Sequence, residues 1–257
     1  ATLAAILSPA FLVSATNIMA DLPLLFFYLA SITVVTKAFE NEKLIYLWLA
    51  GFLMCAAVMT KYFGISIVPL LFIYSLNRLK GFNRHMFSFL LPIIVLLVWE
   101  LYSYTQTGSI HFFNSAAYAL ETNKEWMTTL GTFLAYLGGC FLWPVFMLST
   151  AFLLNKKLLA GGMAFFILLY WKLPSQLFSQ TQSLWLPLAL AGVYVLCVLL
   201  TQIKDCWKNP ETLLLVLWSL GTLFFAGACN WTINARTLLP AAFPIAVRFT
   251  RWIELQE

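Results

Sequence analysis

The sequence is poor in charge, so the few ionisable residues that interrupt its apolar runs are the ones whose chemistry needs explaining. Asp21 opens such a run: Ser14-Ala15-Thr16-Asn17-Ile18-Met19-Ala20-Asp21-Leu22-Pro23 leads directly into the apolar stretch from Leu24 to Val35. A charge at mid-helix in hydrocarbon costs about 2.5–3.5 kcal/mol on insertion scales, so such a residue caps, pairs or does chemistry. Capping alone is one reading, with Asp21 accepting a first-turn N–H, favouring the positive helix end, and Pro23 tolerated nearby. Lys61 stands in the break Thr60-Lys61-Tyr62-Phe63-Gly64 between two apolar runs, and Arg236 follows the polar segment Cys229-Asn230-Trp231-Thr232-Ile233-Asn234-Ala235. A carboxylate with a lysine and an arginine suits transfer from a lipid phosphate. Cations offset the charge building on a departing phosphate, and a carboxylate can deprotonate an incoming hydroxyl or hold a metal or acceptor. The plainer alternative is that Lys61 and Arg236 snorkel to lipid headgroups.

The elements that would have to position these residues are membrane helices. At 62% hydrophobic and 10% charged residues, with a mean hydropathy of +0.87, the chain is far more apolar than a soluble domain. Its apolar runs are long and lack period-2 alternation, which excludes a transmembrane barrel and predicts an all-α polytopic bundle. A short run over Ala1–Val13 is too short to span, and the chain begins mid-protein, with neither an initiating Met nor a basic leader. Further spans are expected from Asp21 to about Thr36, Leu44 to Met59, Ile65 to Leu76 and Met86 to Tyr104. After the polar interval Thr105–Thr128, one more reaches Leu154, one runs from Leu158 to Trp171, and one closes at Lys204. Glu211–Ala228 and Thr237–Val247 complete about nine full spans plus a partial first one, in a single transmembrane domain over residues 1–257.

Basic residues set the orientation. With the loop Asn77–His85 inside, the inside set is Lys37, Lys43, Arg78, Lys80, Arg84, Lys156, Lys157, Lys204, Lys208, Arg248 and Arg251. Only Lys61, Lys124, Lys172 and Arg236 are then left outside, an asymmetry that the positive-inside rule reads as orientation. Asp21, Lys61, Glu121, Glu125 and Arg236 share the outer face. The net charge of +5 carries no sign of nucleic-acid binding, because the basic residues sit one or two at a time between spans.

Ser8-Pro9, Ser14, Asp21-Leu22-Pro23-Leu24 at a span start, Thr60-Lys61-Tyr62-Phe63-Gly64 forty residues on, and the late Arg236-Thr237-Leu238-Leu239-Pro240 with Pro244 resemble one family. They are similar to the protein O-mannosyltransferase-like membrane glycosyltransferases (glycosyltransferase family 39, GT-C class), which include bacterial aminoarabinose transferases. The resemblance covers most of the chain in topology. It departs at Thr237, where family members often carry an aromatic. It implies transfer of a sugar from a polyprenyl-phosphate carrier to a hydroxyl of a lipid or protein acceptor. The site would lie on the extracytoplasmic face of a cell membrane, which for a bacterial member is the inner membrane. By resemblance, Asp21 is the second acidic residue of the catalytic site, and Lys61 and Arg236 bind the donor phosphate. The family's first acid pair precedes the region that begins at Ala1, so this fragment alone is expected to lack its principal base and to be inactive.

Tyr62 and Glu100 are further candidates for the lining of the cavity, although Glu100, near the outer end of its span, is expected to reach water. Cys55, Cys140, Cys197, Cys206 and Cys229 show no metal or disulfide spacing and read as small apolar core residues. No ligand cluster announces a metal, and participation of a divalent ion stays open. Gly138-Gly139 and Gly161-Gly162 suit close helix packing. Asn230-Trp231-Thr232 fits a glycosylation acceptor but abuts a span. Two other function classes stay open: a transporter, which would place polar groups near the bilayer midplane on broken helices, and a non-catalytic membrane scaffold.

Overall fold

The computed structural model describes residues 1–16, 19–120, 126–141, 185–207, 209–229 and 233–254. All regular structure among them is helical. In chain order the helices are α1 (Thr2–Ile6), α2 (Pro9–Ala15), α3 (Asp21–Glu40), α4 (Tyr46–Thr60), α5 (Ile67–Leu79) and α6 (Leu91–Thr107). They continue with α7 (His111–Leu120), α8 (Trp126–Cys140), α9 (Trp185–Thr201), α10 (Pro210–Phe224), α11 (Ala235–Leu238) and α12 (Ala242–Glu254). Four continuous helical stretches are long and apolar enough to cross a membrane: Asp21–Glu40, Tyr62–Leu79, Arg84–Thr107 and Pro210–Ala228. Tyr46–Thr60, Thr129–Cys140 and Leu188–Thr201 are apolar but shorter. The described residues therefore do not reach the expected nine spans, and the expected span Leu158–Trp171 lies outside them.

The chain divides into two compact units. One holds Asn17–Glu121 and Asp205–Trp218. In it α3 packs along α4, and α4 against α6. Leu25, Tyr28, Leu47, Met54, Leu71 and Phe89 are buried there, while Phe26, Phe52, Leu97 and Leu101 point outward. α4 is apolar on every side. A helix with that pattern and bare outward phenylalanines and leucines is stable in lipid, where the outer surface needs no polar cover. Trp99, Tyr102 and Tyr104 are exposed at the far end of α6, as in an interfacial aromatic belt.

The other unit holds Ala1–Thr16, Thr122–Lys204 and Ser219–Glu257. Its core gathers Ala10, Leu134, Leu137, Val195, Leu223, Leu238, Ile245 and Phe249. α8 and α9 cross on glycines. A Cβ on Gly138 would stand 1.8 Å from the Leu188 carbonyl oxygen, and one on Gly192 would stand 2.0 Å from that of Leu134. Each glycine thus receives the carbonyl four residues before its partner glycine, an approach that only bare backbone permits.

The expected last span, Thr237–Val247, lies in a helical stretch that changes type along its length. α11 passes through a 3-10 turn, Leu239–Ala241, into the amphipathic α12, which runs through Arg248. Arg248 is no loop anchor: it is 1% exposed, donates from Nη1 to Ser219 Oγ (2.9 Å) and from Nη2 to the Leu199 carbonyl. Leu199 lies in the last turn of α9, where carbonyls lack helical partners and a cation is favoured. Cys140 and Cys206 are buried as core residues, but Cys197 is exposed, facing away from the packed side of α9.

The glycine crossing makes opposite predictions for neighbouring residues. Gly138→Ala should destabilise the detergent-solubilised protein by about 1–3 kcal/mol, as overpacking does. Gly139→Ala, whose Cβ would meet the Leu188 side chain at 3.7 Å (Cδ1) and 3.9 Å (Cδ2), should leave the thermal unfolding midpoint nearly unchanged. Equal shifts for the two would contradict the described crossing.

Candidate active site

The site residues rest on two local breaks in helix. α3 begins at Asp21 itself: Leu24 N–H donates to the Ala20 carbonyl (3.0 Å), and Ala20, at the N-cap position, makes no side-chain cap. Capping alone, one of the two readings of Asp21, does not account for its contacts. Its Oδ1 instead accepts from Lys61 Nζ at 2.7 Å. A charge-assisted bond to an ammonium is stronger than one to a neutral amide, which explains why the side chain turns away from the helix end. The acid still lies in the first turn, at the end of the helix dipole that favours it.

Lys61 is delivered by the second break. α4 ends at Thr60; Lys61 takes an extended conformation (φ −160°, ψ 138°), and a 3-10 turn, Tyr62–Ser66, follows at once. Lys61 N–H still donates to Ala57 (3.1 Å), and its carbonyl accepts from Gly64 N–H (2.7 Å). Gly64 is required for the fold-back, because a Cβ there would stand 2.4 Å from the Ala57 carbonyl oxygen. One extended residue between two helical segments aims its side chain sideways, and the partner forty residues earlier receives it. The pair is asymmetric: the Asp21 side chain is 7% exposed and that of Lys61 46%. A buried carboxylate is held by a lysine that still reaches the open.

Tyr62 and Glu100 are drawn to the same unit. The Tyr62 side chain stands beside the Glu100 carboxyl group, and its ring meets that of Phe112 edge-on at 5.7 Å. Glu100 is 8% exposed, so the expectation that it reaches water is corrected; its Oε2 accepts from Phe112 N–H at 3.0 Å. That amide belongs to α7, an amphipathic helix inside an interval that is polar in sequence. Nothing in residue composition marks α7; its alternation of Phe112, Phe113, Ala116 and Ala117 with polar residues was the available signal. Glu121, Lys124, Glu125 and Lys172 lie outside the described residues.

Arg236 belongs to the other unit. It is half-buried on α11, whose entry is a capping box: Thr237 N–H donates to Asn234 Oδ1 (3.0 Å), and Thr237 Oγ1 accepts from Asn234 N–H (3.4 Å). Thr237 therefore builds the turn that carries Arg236. α11 packs on α2, where Ser8 caps the helix by accepting from Phe11 N–H (3.3 Å), Pro9 occupies the first turn, and Ser14 is buried. The early and late motifs thus meet within this unit. Among the described residues, no three His, Cys, Asp or Glu side chains converge as metal ligands would.

The Asp21–Lys61 contact predicts a measurable coupling. In a double-mutant cycle with Asp21→Asn and Lys61→Met, Lys61→Met alone should be the more destabilising, since it leaves a buried carboxylate unpaired. The double variant should recover at least about 0.5 kcal/mol relative to additivity, modest because the lysine is half exposed. Strict additivity in thermal melts would dissolve the pair.

Comparison with known proteins bears on the first part of the chain. A family model described as dolichyl-phosphate-mannose-protein mannosyltransferase matches residues 1–116. The comparisons with curated proteins and with solved structures find no match. The matched stretch contains Ser8-Pro9, Asp21, Lys61, Tyr62 and Glu100, while Arg236 lies beyond it. Such a family suggests a membrane glycosyltransferase, in keeping with the four long apolar helices. Over its first 116 residues the chain is similar to the dolichyl-phosphate-mannose-protein mannosyltransferases.

Proposed function

We propose that this chain acts as a membrane glycosyltransferase that moves a sugar from a polyprenyl-phosphate donor to a hydroxyl of a lipid or protein acceptor, on the extracytoplasmic side of a cell membrane. The observation that carries the reading is the Asp21–Lys61 pair at 2.7 Å, with a buried acid and a half-exposed lysine at the end of a span. An ammonium has three N–H donors; here one goes to Asp21, which fixes the side chain, and the others are free to face a phosphate. Arg236 is the second cation proposed for that phosphate, in line with the resemblance.

In the reaction proposed, the acceptor oxygen forms a bond to the anomeric carbon as the bond from that carbon to the phosphate oxygen breaks. The electron pair leaves on the phosphate, where Lys61 offsets the growing charge. The acceptor proton passes to a carboxylate base. Asp21 holds Lys61 in place and is the second acidic group of the site.

Replacing Lys61 with Ala should remove a charge-assisted contact of about 1.5–3 kcal/mol. Turnover of a polyprenyl-phosphate sugar by membranes carrying the intact protein should then fall at least about tenfold. Lys80→Ala, which changes an exposed lysine beyond α5, should do little. Equal effects of the two, or solute flux without donor consumption, would overturn the reading. Orientation is tested separately. Gly81, with nothing near the position of its Cβ, should as cysteine be labelled from the cytoplasm. Exposed Gln106, at the opposite end of the span Arg84–Thr107, should be labelled from outside. The reverse pattern would move the site to the other face.

A further inference from the structure

We infer that Glu100 is a positioning residue of this site: it supplies from α6 the N-terminal cap that α7 lacks, and holds Tyr62, and with it the Lys61 break, against the base of that helix. The inference rests on the proposed glycosyl transfer only for its activity arm.

The argument starts from a missing cap. Asn114 N–H donates to the Ile110 carbonyl (3.1 Å), which makes Ile110 the residue ahead of the first helical position, His111. The first N–H groups of a helix have no intrahelical acceptor. Ser, Thr, Asp or Asn would normally accept one of them, and an isoleucine cannot. Glu100 does so instead. It lies two turns before the end of α6, on the face that returns toward α7 once Gly108 (φ 69°) reverses the chain. Its Oε2 accepts from Phe112 N–H at 3.0 Å, one of the otherwise orphaned donors.

A carboxyl group used only as a cap need not be buried, yet Glu100 is 8% exposed, and its Oε1 is buried with no hydrogen-bond partner. Leaving a carboxyl oxygen unsatisfied inside a protein is costly. A solvent-side cap placed at residue 110 would avoid that cost. What the burial brings is contact with Tyr62, which stands beside the carboxyl group and packs edge-on against Phe112, the residue whose amide Glu100 holds. Tyr62 directly follows Lys61. Two contacts thus converge on one carboxyl group, the start of α7 and the Tyr62 side chain, and the peptide link joins Tyr62 to the lysine that binds Asp21.

The test separates capping from positioning. Hydrogen–deuterium exchange at the start of α7 needs no substrate, so its outcome is independent of the proposed reaction, which Lys61→Ala tests separately. In Glu100→Met, exchange at Phe112 should rise about three- to thirtyfold, the range that loss of a cap produces. Glu100→Gln, which keeps an acceptor oxygen, should stay near the parent value. Adding Ile110→Ser to Glu100→Met should restore slow exchange by giving α7 a local cap, while donor turnover stays about tenfold below the parent because Tyr62 has lost its support. Unchanged exchange in Glu100→Met would overturn the cap. Recovery of turnover by Ile110→Ser would overturn the positioning role.

Discussion

A carboxylate at the mouth of a membrane helix is the constraint to which the first half of the chain answers. Removing Asp21 from water costs several kcal/mol unless a partner compensates, and the partner here is Lys61 at 2.7 Å. Meeting that lysine requires a break in helix at the right height. An unbroken α4–α5 helix would carry Lys61 on a side chain pointing along the helix surface. The extended conformation of Lys61, the 3-10 turn after it and the absence of a Cβ on Gly64 are the local means by which the lysine instead projects toward α3. The motif Thr60-Lys61-Tyr62-Phe63-Gly64 is thus one geometric device, in which the glycine matters as much as the lysine.

How much of this was legible depends on whether a residue's partner is local. The apolar runs predict the helices because burial of a continuous stretch is a property of the stretch itself; α3, α4, the Tyr62–Leu79 stretch and the Arg84–Thr107 stretch fall within a few residues of expectation. Asp21 was legible as anomalous, but not as a lysine's partner, because a cap and an ion pair look alike until the distant residue is placed. Glu100 was misread toward water for the same reason. Its amide partner lies in α7, and α7 itself hides in an interval whose polar residues mask a helical stripe.

Glycine gave the opposite outcome. Gly138-Gly139 reads in sequence as a site of close packing without saying which residue packs, and only the three-dimensional crossing separates them: Gly138 meets a backbone carbonyl, Gly139 a flexible side chain. Thr237 shows how a residue without charge can position one that has it. With Asn234 it closes a capping box, so the turn that presents Arg236 is built by side-chain hydrogen bonds.

Arg248 shows what charge counting leaves out. The positive-inside argument treats each basic residue as an anchor in a loop, because in sequence an arginine near the end of an apolar run cannot be told from one folded inward. Here α12 continues past it, and its guanidinium is buried, bonded to Ser219 and to a carbonyl in the last turn of α9. An arginine's fork of donors suits this task, since it can serve a hydroxyl and a helix-end carbonyl at once. Subtracting Arg248 from the expected inside set weakens the asymmetry without reversing it, because Lys37, Lys43, Arg78, Lys80 and Arg84 remain at one end of the α3–α6 bundle while Lys61 stands at the other. The orientation argument therefore rests on the unit that holds Asp21 and Lys61. The charge pattern that proposes which face is outside and the ion pair that proposes what happens there are carried by the same helices.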